Sequence, residues 1–243
     1  MDLYQVLFFF LAFLAEIIGT VSGFGSSILF VPLASAFFEF KTVLGITAVF
    51  HVFSNLSKIY LFRKGIQKEI VVKLGIPAVV FVILGAVLTN YIPQKEIELT
   101  MNGLILCLAL FLLSGQAKKI KQNNQNLYTG GVISGFLAGL LGTGGAIRGL
   151  TLAAFQLEKD AFISTSAIID FGVDFSRAGV YVWNGYVDTN YLFYIPILII
   201  VSIIGSYVGK QILVHVSEKV FQIILLSIIC LTALYQVIHF LMA

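Results

Sequence analysis

The chain has 243 residues, of which 59% are hydrophobic and only 11% charged, and its mean hydropathy is +1.00. Soluble domains run at about 45–50% apolar and about 25% charged, so this sequence cannot cover a water-facing surface and is expected to be an integral membrane protein. Its net charge of +3 is small and speaks to orientation in a membrane, not to nucleic-acid binding.

A crossing helix needs about 20 apolar residues, which leaves room for about eight membrane segments and no separate soluble domain. Residues 3–38 come first, interrupted only by Glu16. They lack a basic leader region and a small-residue cleavage site, so the segment is expected to be retained. Apolar segments over 42–62, 74–94 and 99–117 follow. The hydrophilic stretch Gln116–Asn126 then reads as a linker. It divides the chain into a first membrane repeat (1–115), a polar cytoplasmic linker (116–127) and a second membrane repeat (128–243). The later segments cover 122–147, 160–183, 189–209 and 220–243. Unbroken hydrophobicity at these lengths means helices, because a membrane barrel would show short alternating strands. Cys107 and Cys230 lie inside apolar stretches with no metal-ligand spacing. Both are expected to serve as small packing residues, and no metal or cofactor is expected.

The halves repeat. At an offset of 119, Gly23-Phe24-Gly25-Ser26-Ser27-Ile28 falls on Gly142-Thr143-Gly144-Gly145-Ala146-Ile147. The same offset brings His51, Asn55 and Lys58 onto Asp170, Asp174 and Arg177, and Pro77 onto Pro196. The fold expected is an all-α polytopic membrane protein of two homologous halves, each with a glycine-broken, re-entrant segment and three transmembrane helices. Non-helical backbone at membrane depth is tolerated only where protein or a watery cavity surrounds it. Loop charges bear on topology: Arg63, Lys64, Lys68 and Lys73 cluster after the second segment, whereas the matching loop 184–190 has no Lys or Arg. The positive-inside rule then favours inverted repeats with both termini outside, against eight plain spans in a parallel duplication.

The glycine-rich loops are the first candidate site. Glycine frees the backbone from helical geometry, and a helix restarting after such a loop aims free N–H groups at whatever lies there. On this reading Gly23, Gly25, Ser26, Ser27, Gly142, Thr143, Gly144 and Gly145 bind a small anion; the alternative is close helix packing. Arg148 follows directly, and its planar fork suits sulfonate, sulfite, phosphate or carboxylate oxygens. It would otherwise form an internal ion pair with Asp170 or Asp174. Asp170, Asp174 and Arg177 stand at i, i+4 and i+7, one helix face, as do His51, Asn55 and Lys58. Neither face can point at lipid, so the two sets read as a polar relay coupling protons or cations, or as a neutralised network fixing helix register. Glu16 is a possible partner for the unwound backbone, and Ser164-Thr165-Ser166 either line a cavity or cap a helix. No nucleophile–base pair or nucleotide loop is present, so no enzyme is expected.

These residues resemble the TauE/SafE family of sulfite and organosulfonate exporters, also called the toluene-sulfonate uptake permease family. The resemblance covers nearly the whole chain. It is carried by SGFGSSILFVP at 22–32, GLLGTGGAIRG at 139–149 and NGYVD at 184–188. It departs from the pattern where Ser27 and Ala146 replace the third motif glycine, and where Arg148-Gly149-Leu150-Thr151 replaces the apolar–proline ending. The resemblance implies a multi-pass carrier of a bacterial or archaeal cytoplasmic membrane that moves small sulfur-containing or carboxylate anions. Its partners would be a small anionic substrate and the lipid bilayer, with no nucleic acid, and a dimer is compatible. The other functions open at this point are a passive anion channel and a non-transporting membrane scaffold.

Overall fold

The computed structural model describes residues 3–113, 121–187, 191–215, 217 and 220. Residues 221–243 of the expected last span over 220–243, with Cys230, and the linker residues 116–120 therefore lie outside the described residues, as does Asp188 of the NGYVD loop.

All regular structure among the described residues is helical. Helix α1 (Leu3–Ser22) stops at the first glycine-rich loop. There Gly23 and Gly25 take φ of +68° and +86°, left-handed values at which a side chain is strained. The chain restarts as the short α2 (Ser27–Ala34) and returns as α3 (Phe40–Leu61). A basic loop leads into α4 (Lys68–Ile70), a π-helical turn (Val71–Gly75) and α5 (Ile76–Leu88). Pro77 has no N–H to give the Lys73 carbonyl four residues back, and the widened turn sits at that gap. Helix α6 (Gln94–Leu113) ends the first half.

The second half follows the same plan. Asn123 caps α7 (Asn124–Leu141) by accepting the Asn126 N–H at 2.8 Å. Helix α7 ends at Gly142, φ +75°, and α8 (Gly145–Ala153), α9 (Lys159–Trp183) and α10 (Tyr194–Leu213) complete the described part. Shifting the ends of α1 and α2 and the start of α3 by 119 lands on the ends of α7 and α8 and the start of α9. The break expected within 3–38 is there, and its counterpart splits the run 122–147 at Gly142.

Four helical stretches among the described residues are long and apolar enough to cross a membrane: Leu3–Ser22, Phe40–Leu61, Lys68–Tyr91 and Tyr194–Leu213. Large apolar side chains stand on the outside, among them Trp183, Phe175, Ile76 and Val80, as lipid-facing helices require. Cys107 is exposed on α6 and not packed inside, contrary to the expectation for it.

Packing interlocks the halves. Helix α1 lies on α10, and its counterpart α7 lies on α5. Helix α3 lies against its own counterpart α9. Along α7, added Cβ atoms at Gly131, Gly135 and Gly139 would strike the backbone of Leu74, Ala78 and Val82. For these three glycines the packing role holds: the α5 and α7 backbones touch directly. In the second broken loop Gly144 and Gly145 are also pressed against backbone, at the Ser134 and Phe24 carbonyl oxygens.

A buried ionic cavity at the two broken loops

The two loops meet. A Cβ at Gly145 would collide with the Phe24 carbonyl oxygen, and one at Gly149 with the Phe24 ring. Beside this junction α3 and α9 present their polar faces, enclosing a cavity of about 20 Å³, room for a single ordered water. Its lining includes Gly25, Ser26, Ser27, His51, Asn55, Lys58, Gly142, Gly144, Gly145, Arg148, Asp170, Asp174 and Arg177. Ala138 and Val173 add apolar surface. Gly23 and Thr143, also singled out in the sequence, do not line it. The Cα of Gly23 faces Phe162. Thr143 lines a separate small cavity on the far side of Gly144, with Ile28, Leu104 and Ile147.

Arg148 reaches from the second loop to the first. Its Nη2 lies 3.5 Å from where a Gly25 Cβ would stand and 3.2 Å from that of Gly145. Its Nη1 pairs with Asp170, and its Nε donates to Ser166 Oγ at 3.2 Å. Ser166 Oγ also lies 3.4 Å from both Asp170 Oδ2 and the Gly23 carbonyl. The other two serine–threonine candidates act elsewhere: Ser164 donates to the Lys64 carbonyl, and Thr165 accepts the Gln67 N–H. They tie α9 to the basic loop.

One turn further along α9, Asp174 Oδ1 accepts both Nε and Nη2 of Arg177 at 2.7 Å. Its Oδ2 accepts Asn55 Nδ2 at 2.7 Å, a bond between positions 119 residues apart and so equivalent in the two halves. Arg177 Nη1 donates to the Gly142 carbonyl at 2.7 Å and the Ala138 carbonyl at 3.2 Å, filling acceptors left open where α7 unwinds.

Glu16 is the residue that sequence reasoning undervalued. Fully buried on α1, it gathers groups from four elements. Its Oε1 accepts Thr20 at 3.1 Å, Ser54 at 2.7 Å, Ser206 of α10 at 2.8 Å and the Lys58 ammonium at 2.8 Å. Its Oε2 accepts Ser26 Oγ at 2.7 Å. That last bond fixes the state of His51. Ser26 spends its only proton on Glu16, so His51 Nε2, 2.7 Å away, must be the donor to Ser26 Oγ. His51 Nδ1 lies 3.4 Å from Arg177 Nη2, and a buried ring set among the cations Arg177, Lys58 and Arg148 is held neutral. The signal for Glu16 was present: one carboxylate in a long charge-free run demands a buried cation, and Lys58 fits.

A family model described as Sulfite exporter TauE/SafE matches residues 8–236. The chain belongs to the TauE/SafE family. Similar proteins include a probable membrane transporter protein of Methanocaldococcus jannaschii, 28% identical over 93% of this chain and 92% of the relative. Another is a probable membrane transporter protein of Bacillus subtilis, 27% identical over 82% of this chain and 85% of the relative. No solved structure matches. TauE/SafE proteins are membrane transporters and not enzymes, which accords with the absence of a nucleophile–base pair in the sequence.

Proposed function

We propose that the chain is a secondary transporter that carries a small anion across the cytoplasmic membrane by alternating access, coupled to protons. The anion is sulfite, an organosulfonate or a related sulfur-containing or carboxylate ion, bound at the meeting of the two broken loops. The two halves serve as inverted repeats around that site. The observation that carries the reading is the Arg148–Asp170 pair. Arg148 is 3% exposed, lies over both loops, and its carboxylate partner is on a different helix. An oxyanion taking the place of Asp170 would meet the same guanidinium, together with the free N–H groups at the starts of α2 and α8. A cavity of about 20 Å³ is too small for such an ion, so loading requires the helices to part. That requirement suits a carrier better than an open channel.

Thermal unfolding of the purified protein with sulfite, thiosulfate, small sulfonates, sulfate and short carboxylates tests this. A ligand at 100 times its dissociation constant stabilises by ~2.7 kcal/mol. A shift for one anion class that vanishes in Arg148→Gln is the expected result. No shift for any anion, with the variant merely less stable, would make Arg148 structural.

A further inference from the structure

Among the described residues the charges around the cavity balance. Lys58, Arg148 and Arg177 face Glu16, Asp170 and Asp174, each cation paired with one carboxylate. The pairs differ in how firmly they are held. Glu16 accepts from four hydroxyls as well as Lys58. Asp174 holds two nitrogens of Arg177 and the amide of Asn55. Among the described residues Asp170 has only Arg148 and Ser166. The pair across α8 and α9 is therefore the one an incoming anion can open at least cost, with Asp174–Arg177 next.

Opening it creates a debt of charge. An anion that takes Arg148 leaves the Asp170 carboxylate without a partner in a largely buried cavity with room for about one water. An unpaired buried charge costs several kcal/mol, and a proton removes it. The groups facing Asp170 do not supply a substitute cation. Lys58 is engaged by Glu16, Arg177 by Asp174, and His51 is neutral, bonded to Ser26 and Arg177. We infer that transport is electroneutral: each negative charge on the anion travels with one proton, held on Asp170 for a monoanion and on Asp170 and Asp174 for a dianion. This rests on the small-anion reading of the site.

The step balances simply. The anion displaces the carboxylate from Arg148, and a proton from the water on the open side forms an O–H bond at Asp170. No group is oxidised or reduced. On the far side the anion leaves, Asp170 returns its proton to water and pairs with Arg148 again.

The full chain in phospholipid vesicles, with a pH dye trapped inside, tests the inference. Methanesulfonate serves as a fixed monoanion and thiosulfate as a fixed dianion, because sulfite itself titrates near neutrality. Saturable counterflow of a labelled probe comes first, since it needs no coupling. Net uptake is then expected to carry one proton per methanesulfonate and two per thiosulfate. A potential of about 100 mV, which would change the accumulation of an uncompensated monoanion about fifty-fold, is expected to have no effect. Asp170→Asn should take up methanesulfonate without protons and gain that sensitivity to potential. Counterflow accompanied by potential-driven, proton-free uptake in wild type would overturn electroneutrality while leaving the anion reading in place. Absence of counterflow for both probes would sink the anion reading and this inference with it. The wild-type proton ratio decides the matter even if Asp170→Asn does not insert.

Discussion

Glu16 and Lys58 form a pair whose value depends on both members. Removing one side of a buried ion pair leaves the other charged and unsolvated, at about 3–5 kcal/mol, whereas removing both can be nearly neutral. Glu16→Gln is therefore expected to destabilise the protein by about that amount, and Glu16→Gln with Lys58→Met to recover more than half of it. Melting of the single and double variants in detergent checks this, and additive losses would mean that the two residues do not act together. Ser26 stands between Glu16 and His51, so Ser26→Ala strips a bond from each and should cost about 1–3 kcal/mol, measured the same way. That Arg148 would meet Asp170 or Asp174 was legible as the alternative to anion binding, because all three are charges inside apolar segments; which of the two it meets was not. The convergence on Glu16 was not, because its partners come from α1, the first loop, α3 and α10, and no sequence spacing brings those together.

Helix α7 illustrates what glycine does at the level of an element. Gly131, Gly135 and Gly139 follow one another at four-residue steps, and α5 approaches until backbone meets backbone. Gly139→Leu would drive a side chain into the Val82 carbonyl and the Ala86 N–H. A loss of about 1–3 kcal/mol is expected, again by melting. Gly103, on α6, has nothing within 4 Å of a would-be Cβ among the described residues. Gly103→Ala should be neutral or stabilising by up to ~1 kcal/mol. In the sequence both look like glycines in an apolar helix. The breaks at Gly23–Gly25 and Gly142 could be read because the same pattern recurs 119 residues later beside polar side chains. The π-turn and the pairing of α1 with α10 could not. The first follows from a single proline among apolar neighbours, and the second from Gly205 and Gly209 of α10 seated on Glu16 and Thr20 of α1, a stripe of small residues that does not name its partner helix.

For the molecule as a whole, interlocking halves and the asymmetry of loop charge lead to an expectation about sidedness. With Cys107 and Cys230 replaced by alanine, a cysteine introduced at position 187 should react with a membrane-impermeant reagent from outside the cell. One introduced at position 64, in the basic loop, should react from the cytoplasm. Labelling of both from the cytoplasm would exclude inverted repeats and favour the parallel duplication.

The bond between Asn55 and Asp174 joins corresponding positions of the two halves. In an assembly of two identical short chains, the same side chain would have to face itself there, and a pair of carboxylates so placed would repel. Joining the halves in one polypeptide lets each side of the cavity change alone. One wall has become the ammonium–carboxylate cage of Lys58 and Glu16, and the other the guanidinium of Arg148. A lopsided guest, such as a sulfonate with a carbon tail, would then sit one way round, whereas a symmetric chamber would accept it equally in either direction.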